Sequence, residues 1–417
     1  MFYQFLKILV GFTLRIFFRK IFITGVQHIK TNKAQLVASN HPNGFLEPLI
    51  MACFFPKDLH FLVRGDVFEN PFLKPILVST HQIPIYRFRD GFSKLRENSN
   101  TMDESIQVLL DKKNLLIFAE GGTESIKKLR PLQKGIARIA FQALEKNPDL
   151  ELEILPVGIN FTYPTKFNET VMMRINNPIN VQPFFKLYRL DKNKAVDALL
   201  LEISQRMKEN IVHIDNQALI QLFERLVVVS RISPKYPYHP VYLKSNTQLD
   251  AEINIAAKID QLTETDLAEI RSSVKELDQQ MKKIGLSWAV IDKIPLNFGN
   301  ALVLIIGFIP AVIGLIMHIV PLSIATGFTK YKVKPKEFKA SILMVSALML
   351  LMVQYLILII LICTTGLEVY WLLLFIMGGL WLRIYYYVFN NTLFVKRKNL
   401  EFFQIQAKQI LKTLVTK

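Results

Sequence analysis

Hydrophobic and polar positions divide the chain near residue 298: before it, short apolar runs alternate with helically spaced ones, and after it the apolar runs are long and nearly continuous. Runs at 35–38, 59–63, 115–118 and 153–157 have the length and composition of strands. Segments 103–110 and 135–144 carry apolar residues at helical spacing. Alternation of this kind predicts an α/β domain, a mixed sheet flanked by helices with crossover connections, over 31–185. From 186 to 297 the pattern turns to charged amphipathic helices such as 195–211 and 266–284, interrupted by a Pro-rich interval at 233–240.

Both ends of the chain are amphiphilic. In the lead-in, 1–30, Gln4, Lys7, Gly11 and Arg15 stand about one helical turn apart and the remaining surface is Phe, Leu, Ile and Val. Charges inside the apolar run argue against a cleaved signal peptide and for a helix lying in a membrane interface. Apolar stretches at 298–328, 341–363 and 369–389 approach the roughly 20 residues that a spanning helix needs, so 298–390 reads as an α-helical transmembrane region, with a basic amphipathic tail at 391–417. Lys330, Lys332, Lys334, Lys336 and Lys339 crowd the first connection, and Lys396-Arg397-Lys398 opens the tail, which places both on the cytoplasmic side by the positive-inside rule. If the globular domain is cytoplasmic too, 298–328 must begin and end on one side, bent at Pro310 and Pro321 into a re-entrant hairpin or two short helices. The alternative is one tilted span with the basic loop and the domain on opposite faces.

Charge changes this picture little. Lys and Arg exceed Asp and Glu by 17, a balance that suits an anionic leaflet or phosphorylated substrates, and no nucleic-acid motif competes. Cys53 and Cys363 are too few for a disulfide framework, and the seven histidines have no paired ligand spacing, so no metal or bound cofactor is expected.

The sharpest local signal is Ser39-Asn40-His41-Pro42-Asn43-Gly44-Phe45-Leu46-Glu47-Pro48, directly after a predicted strand. Proline and glycine turn the backbone and can return the Glu47 carboxylate to one ring nitrogen of His41, leaving the other to accept a proton. That is general-base logic, with no serine or cysteine nucleophile required. A loop histidine near an acid by chance is the plainer reading of the pair taken alone. A second strand ends in Phe118-Ala119-Glu120-Gly121-Gly122-Thr123-Glu124-Ser125, where Gly121 and Gly122 let backbone N–H groups approach a phosphate and Glu120 can accept hydrogen bonds. Arg87, in Ile83-Pro84-Ile85-Tyr86-Arg87-Phe88-Arg89, and Lys134, at a helix start, are candidate phosphate-binding cations, with surface ion pairs as the plainer reading.

The order of these blocks, closed by Leu155-Pro156-Val157, resembles the glycerolipid acyltransferase family, which includes glycerol-3-phosphate and lysophosphatidic acid acyltransferases; the likeness runs over roughly 35–180. The resemblance implies His41 as base and Glu47 as its partner, Arg87, Glu120 and Gly121 at the acceptor's phosphate and glycerol, and Pro156 shaping the acyl-donor site. It further implies an acyl-CoA or acyl carrier protein thioester as co-substrate, a glycerophosphate or lysophospholipid acceptor, and membrane lipids as surroundings. The chain departs from the common pattern in using glutamate after five intervening residues, Ala119 for proline, a second glycine, and Glu124 where arginine is usual. The fifth intervening residue resembles a fungal-type glycerophosphate acyltransferase branch, whereas the glutamate is unusual. Loss of the arginine leaves Lys134 or Arg130 to compensate, or points to a lyso-amino-lipid acceptor. A non-catalytic membrane scaffold on the same fold is the rival class, and a transporter ranks last because His318 and Arg383 are the evident ionisable residues of the apolar runs.

Overall fold

The computed structural model describes residues 2–86, 98–232, 239, 241–394 and 397–416. Its centre is a mixed sheet of β1 (Lys20–Thr24), β2 (Ala34–Ser39), β3 (Leu59–Arg64), β4 (Gln82–Ile85), β5 (Asn114–Phe118), β6 (Leu152–Phe161), β7 (Thr170–Ile175), β8 (Ile179–Asn180) and β9 (Tyr242–Leu243). The strand order is β4-β3-β5-β2-β6-β7-β1-β9, with β8 beside β6. Neighbours from β4 to β6 are parallel, β7 and β8 run antiparallel to β6, and β1 is parallel to both β7 and β9. All four predicted strands are present. The sheet also draws β1 and β9 from outside 31–185, so its far edge is built by segments whose own sequences are too short or too ambiguous to read as strands.

Helices cover both faces, as a parallel sheet requires. Alternate residues of β2 serve the two sides: Leu36 and Ala38 enter one apolar cluster, Val37 the other. On the first face lie α4 (Asn98–Leu110), α5 (Gly135–Lys146), α6 (Gln182–Leu190) and α7 (Lys192–Lys208). The second is covered by α1 (Phe2–Phe17) and α2 (Leu46–Phe54). The short α3 (Lys74–Ser79) links β3 to β4. A third cluster unites α8 (Ile220–Ser230), α9 (Thr247–Gln261), α10 (Glu264–Lys283) and the tail helix with Phe22 and Met172 of the sheet.

Helix α1 presents its polar stripe to the protein. Gln4 donates to Asp58 at 3.0 Å, Lys7 donates to the Phe55 carbonyl at 3.0 Å, and Gly11 is buried, while Phe2, Phe5, Ile8 and Phe12 are exposed. An interfacial helix lying free would turn its polar side to water; here the domain satisfies it and the apolar side is left outward.

The apolar third contains α11 (Phe298–Ile306), α12 (Phe308–Lys332), α13 (Lys339–Thr365) and α14 (Tyr370–Asn391), followed by the tail helix α15 (Arg397–Thr416). Among the described residues, three helices are long and apolar enough to cross a membrane, those containing 308–332, 339–365 and 370–391. The expected bend at Pro310 and Pro321 is corrected: the chain breaks at Gly307, and α12 continues through Pro321. Proline there frees the carbonyl of Met317, four residues back, and Gln354 of α13 donates to it at 2.5 Å. Gly314 meets Gly378 so closely that a Cβ on Gly314 would lie 2.3 Å from the Gly378 carbonyl oxygen, a small-residue crossing of α12 and α14. Both ends of 298–332 return to the globular part. Leu296 donates to Leu393 beside the short pairing of 294–295 with 392–393, and beyond Lys332 the Glu337 carbonyl accepts from Gly44 at 3.0 Å. The chain just past the basic loop thus lies against the His41 turn, the arrangement that a segment 298–332 beginning and ending on one side calls for.

Arg383 interrupts the last apolar run for a reason the sequence does not reveal. Buried in α14, it donates to the carbonyls of Ile16 at 2.6 Å and Phe18 at 3.2 Å, taking up acceptors at the end of α1 and tying that helix to the apolar bundle.

Candidate active site

Ser39 ends β2 and Phe118 ends β5, and the two are direct partners in parallel register. The turns that follow therefore leave the sheet side by side at its carboxyl edge, where open α/β sheets place their sites. His41 emerges from the first and Glu120 from the second. The His41 amide donates to Glu120 Oε1 at 3.2 Å, and the Glu124 amide donates back to the His41 carbonyl at 3.2 Å.

The ring of His41 stacks on Phe118, with centroids 3.9 Å apart and planes 10° from parallel. Its Nδ1 lies 3.7 Å from Glu47 Oε1, too long for a hydrogen bond but close for a charge pair, and the Glu47 carboxylate is wholly buried. Asn43 holds this turn. Its amide donates to Glu47 Oε1, its side-chain amide donates to the Pro164 carbonyl at 2.7 Å, and its Oδ1 accepts from Phe45 and Leu46, capping the start of α2. Burial raises the pKa of Glu47 above its ordinary value, opposed by His41 and by backbone N–H groups. Such a carboxyl has strong reason to take a cationic imidazolium as partner. Gly44 is required by packing, since a Cβ there would stand 2.3 Å from the Phe338 ring.

Glu120 is committed within the protein. Besides His41 N–H it accepts from Arg130 Nε at 2.5 Å. Arg130 also donates to the Gly122 carbonyl and approaches Glu124 at 3.8 Å. Glu120 is thus placed to hold the backbone of His41 and to orient Arg130. Gly121 takes φ +70°, which favours glycine, and its own N–H is spent on the Phe118 carbonyl.

Lys134 is not brought to this cluster: its ammonium pairs with Asp197 at 3.3 Å, both well exposed. Arg87 lies outside the described residues. Pro156 is buried inside β6 as the register partner of Ala38. Of the two cations suggested to replace the missing arginine, Arg130 is the one beside Glu120, and Lys127 is a neighbour of the site that the sequence did not single out. Arg130 stands ten residues beyond Glu120, and only the return of the chain brings it to the spot where an arginine was missed. Lys127 is half-buried, with its pKa lowered by desolvation, and donates to the Phe161 carbonyl at 3.4 Å. It lines a cavity of about 140 Å³ with Asn40, Pro42, Thr162, Tyr163 and Glu224, directly behind the His41 turn.

Chemically, the cluster offers an imidazole with one nitrogen directed at a buried carboxylate, a guanidinium fixed nearby, and no metal-binding group of acids, histidines or cysteines among the described residues.

Residues 20–160 match the family model described as Acyltransferase. Glycerol-3-phosphate O-acyltransferase 1 of Saccharomyces cerevisiae is 28% identical over 138 residues, covering 32% of this chain and 18% of that protein. Glycerol-3-phosphate O-acyltransferase 2 of the same yeast is 25% identical over 162 residues, covering 38% and 20%. An uncharacterised acyltransferase of Schizosaccharomyces pombe is 28% identical over 88 residues, covering 21% and 13%. The aligned part thus spans a fifth or less of the length of these relatives. Among solved structures, the 1-acyl-sn-glycerophosphate acyltransferase PlsC of Thermotoga maritima aligns with a TM-score of 0.36 and 18% identity, covering 49% of this chain and 78% of that one.

Proposed function

We propose that this chain, whose residues 20–160 form an Acyltransferase-family domain homologous to glycerol-3-phosphate acyltransferases, is a membrane-bound O-acyltransferase of glycerolipid synthesis. It moves a fatty acyl group from an acyl-CoA or acyl carrier protein thioester to a hydroxyl of glycerol 3-phosphate or lysophosphatidic acid. The observation that carries this reading is the His41 ring held on Phe118 with Nδ1 3.7 Å from the buried Glu47 carboxylate.

In this mechanism Nε2 of His41 takes the proton of the acceptor hydroxyl as the oxygen attacks the thioester carbonyl. Glu47 stabilises the imidazolium that forms and keeps the ring in the tautomer with Nε2 unprotonated. The tetrahedral intermediate carries its charge on the former carbonyl oxygen and collapses with loss of thiolate, which receives the proton from His41. Charge count is conserved, and neither metal nor bound cofactor enters. Arg130, beside Glu120 and Gly122, supports recognition of an anionic acceptor. Three helices with the length and composition of spans suit an enzyme whose product is an amphiphile.

Glu124, half exposed beside Arg130, favours one alternative, a lyso-amino-lipid acceptor. The test is acyl transfer by the purified, reconstituted protein, offering labelled acyl thioesters with glycerol 3-phosphate, lysophosphatidic acid or a lyso-amino-lipid, beside a folded His41→Ala control. A His41-dependent product from a phosphate acceptor supports the proposal and names its step. Transfer to the amino-lipid alone moves the assignment, and no His41-dependent product from any pairing leaves a non-catalytic scaffold.

A further inference from the structure

The connection from β3 to β4 carries apolar side chains that the domain does not use. Phe72 is 86% exposed, and Leu73, Ile76 and Val78 of the same segment are exposed as well, with Leu77 alone turned inward. Four large apolar residues within seven positions exceed the scattered exposure normal for a soluble surface. The segment does not stand by itself. His81, two residues past the end of α3, stacks on Tyr3 of α1 with centroids 4.9 Å apart and on His60 at 4.7 Å. The start of α1, with Phe2 and Phe5 outward, is thereby pinned to the end of α3. The other end of α1 is held by Arg383 of the apolar helix α14. A continuous route of contacts therefore joins the exposed residues of α3, through the outward face of α1, to helices long and apolar enough to cross a bilayer.

From this continuity we infer that α3 and its lead-in, 72–78, are a second membrane contact: with the outward face of α1 they rest in the acyl region of the leaflet that α12–α14 enter. The occupant is lipid. A protein partner would have to reach a surface whose near border is already fixed to the apolar bundle, whereas a leaflet surrounding that bundle covers both patches without further assembly. Lys74, exposed between Leu73 and Ile76, suits this position because its stem can lie along lipid while its ammonium reaches the headgroups. Lipid contact at two places, one on each side of Tyr3, would fix the tilt of the domain against the leaflet. The inference stands on surface and connectivity, and holds whether or not the chain transfers acyl groups.

The test uses the full chain in vesicles of phosphatidylcholine and phosphatidylglycerol at low protein content. Cys53 and Cys363 are replaced by serine, and a nitroxide is attached at Phe72→Cys, Val78→Cys or, as a water-facing control, Leu190→Cys, whose parent side chain is 86% exposed on α6. All three positions lie at the surface, so labelling does not disturb the core. Collision rates with dissolved oxygen and with a water-soluble nickel chelate report depth. At 72 and 78 the oxygen-to-nickel ratio should exceed that at 190 several-fold. Equal ratios at the three positions would overturn the inference, as would spin–spin broadening at 72 or 78 that vanishes on dilution with unlabelled protein, since this would make a second copy the occupant.

Discussion

Replacing Glu47 by glutamine keeps its size and removes its charge, which isolates what that carboxylate does for His41. The proposed transition state carries an imidazolium 3.7 Å from Glu47 Oε1. Two unit charges at that separation attract by about 4.5 kcal/mol at an effective dielectric constant of about 20, and by about 1 kcal/mol in bulk water. The carboxylate is fully buried and the ring mostly so, which places the true value nearer the first figure. At about 1.4 kcal/mol per tenfold, the loss in kcat is up to about 2,000-fold, and not less than about sixfold. Glu47→Asp offers a graded test, because shortening the side chain by one carbon bond of about 1.5 Å widens the gap to about 5.2 Å and costs about tenfold by the same arithmetic. The assay is acyl transfer by reconstituted protein, with circular dichroism and thermal unfolding to establish that each variant is folded. His41→Ala should lose nearly all turnover, and His41→Ala/Glu47→Gln should be no slower than His41→Ala, since the acid acts only through the ring. Activity of Glu47→Gln within threefold of the parent would refute the pairing.

Other consequences follow from individual contacts. Arg130→Met leaves Glu120, 4% exposed at its side chain, without the guanidinium that offsets its charge, and should destabilise the domain by about 3 kcal/mol in a denaturant titration. Lys134→Ala should leave kcat/KM for a phosphate acceptor within about twofold, because breaking an exposed pair such as the one to Asp197 typically costs under 1 kcal/mol. Glu169, raised by burial from 4.5 to about 7, binds its proton more tightly folded than unfolded. Its contribution is therefore full below about pH 4.5 and lost as pH rises to about 7, up to about 3 kcal/mol in all; Glu169→Gln should flatten that slope in unfolding measured across the same window. Gly314→Leu cannot keep the approach to Gly378 and should weaken the α12–α14 contact, lowering the midpoint of thermal unfolding in detergent while leaving the circular dichroism of the sheet unchanged.

Where information is local, the sequence alone was sufficient. Strand-length apolar runs predicted β2, β3, β5 and β6, helical spacing predicted α4 and α5, and the length of the apolar runs predicted α13 and α14, because each is set by side chains a few residues apart along one element. The Ser39–Pro48 stretch likewise announced a turn bringing an acid to a histidine, and Glu47 does approach Nδ1 of His41. Tertiary structure decided what depends on distant returns of the chain. Only the parallel register of Ser39 with Phe118 sets Glu120 against the His41 amide, and only the loop after Gly122 carries Arg130 to that acid while Lys134 turns away to Asp197. The same holds for α1 and the long apolar helices. A polar stripe on α1 looks like a water-facing side until Asp58 and the Phe55 carbonyl claim it, and the arginine in the last apolar run has no evident partner until the end of α1 arrives beside it. Periodicity reports which side of an element differs from the other, but burial and pairing depend on what the rest of the chain places there, and that is settled only when the elements pack.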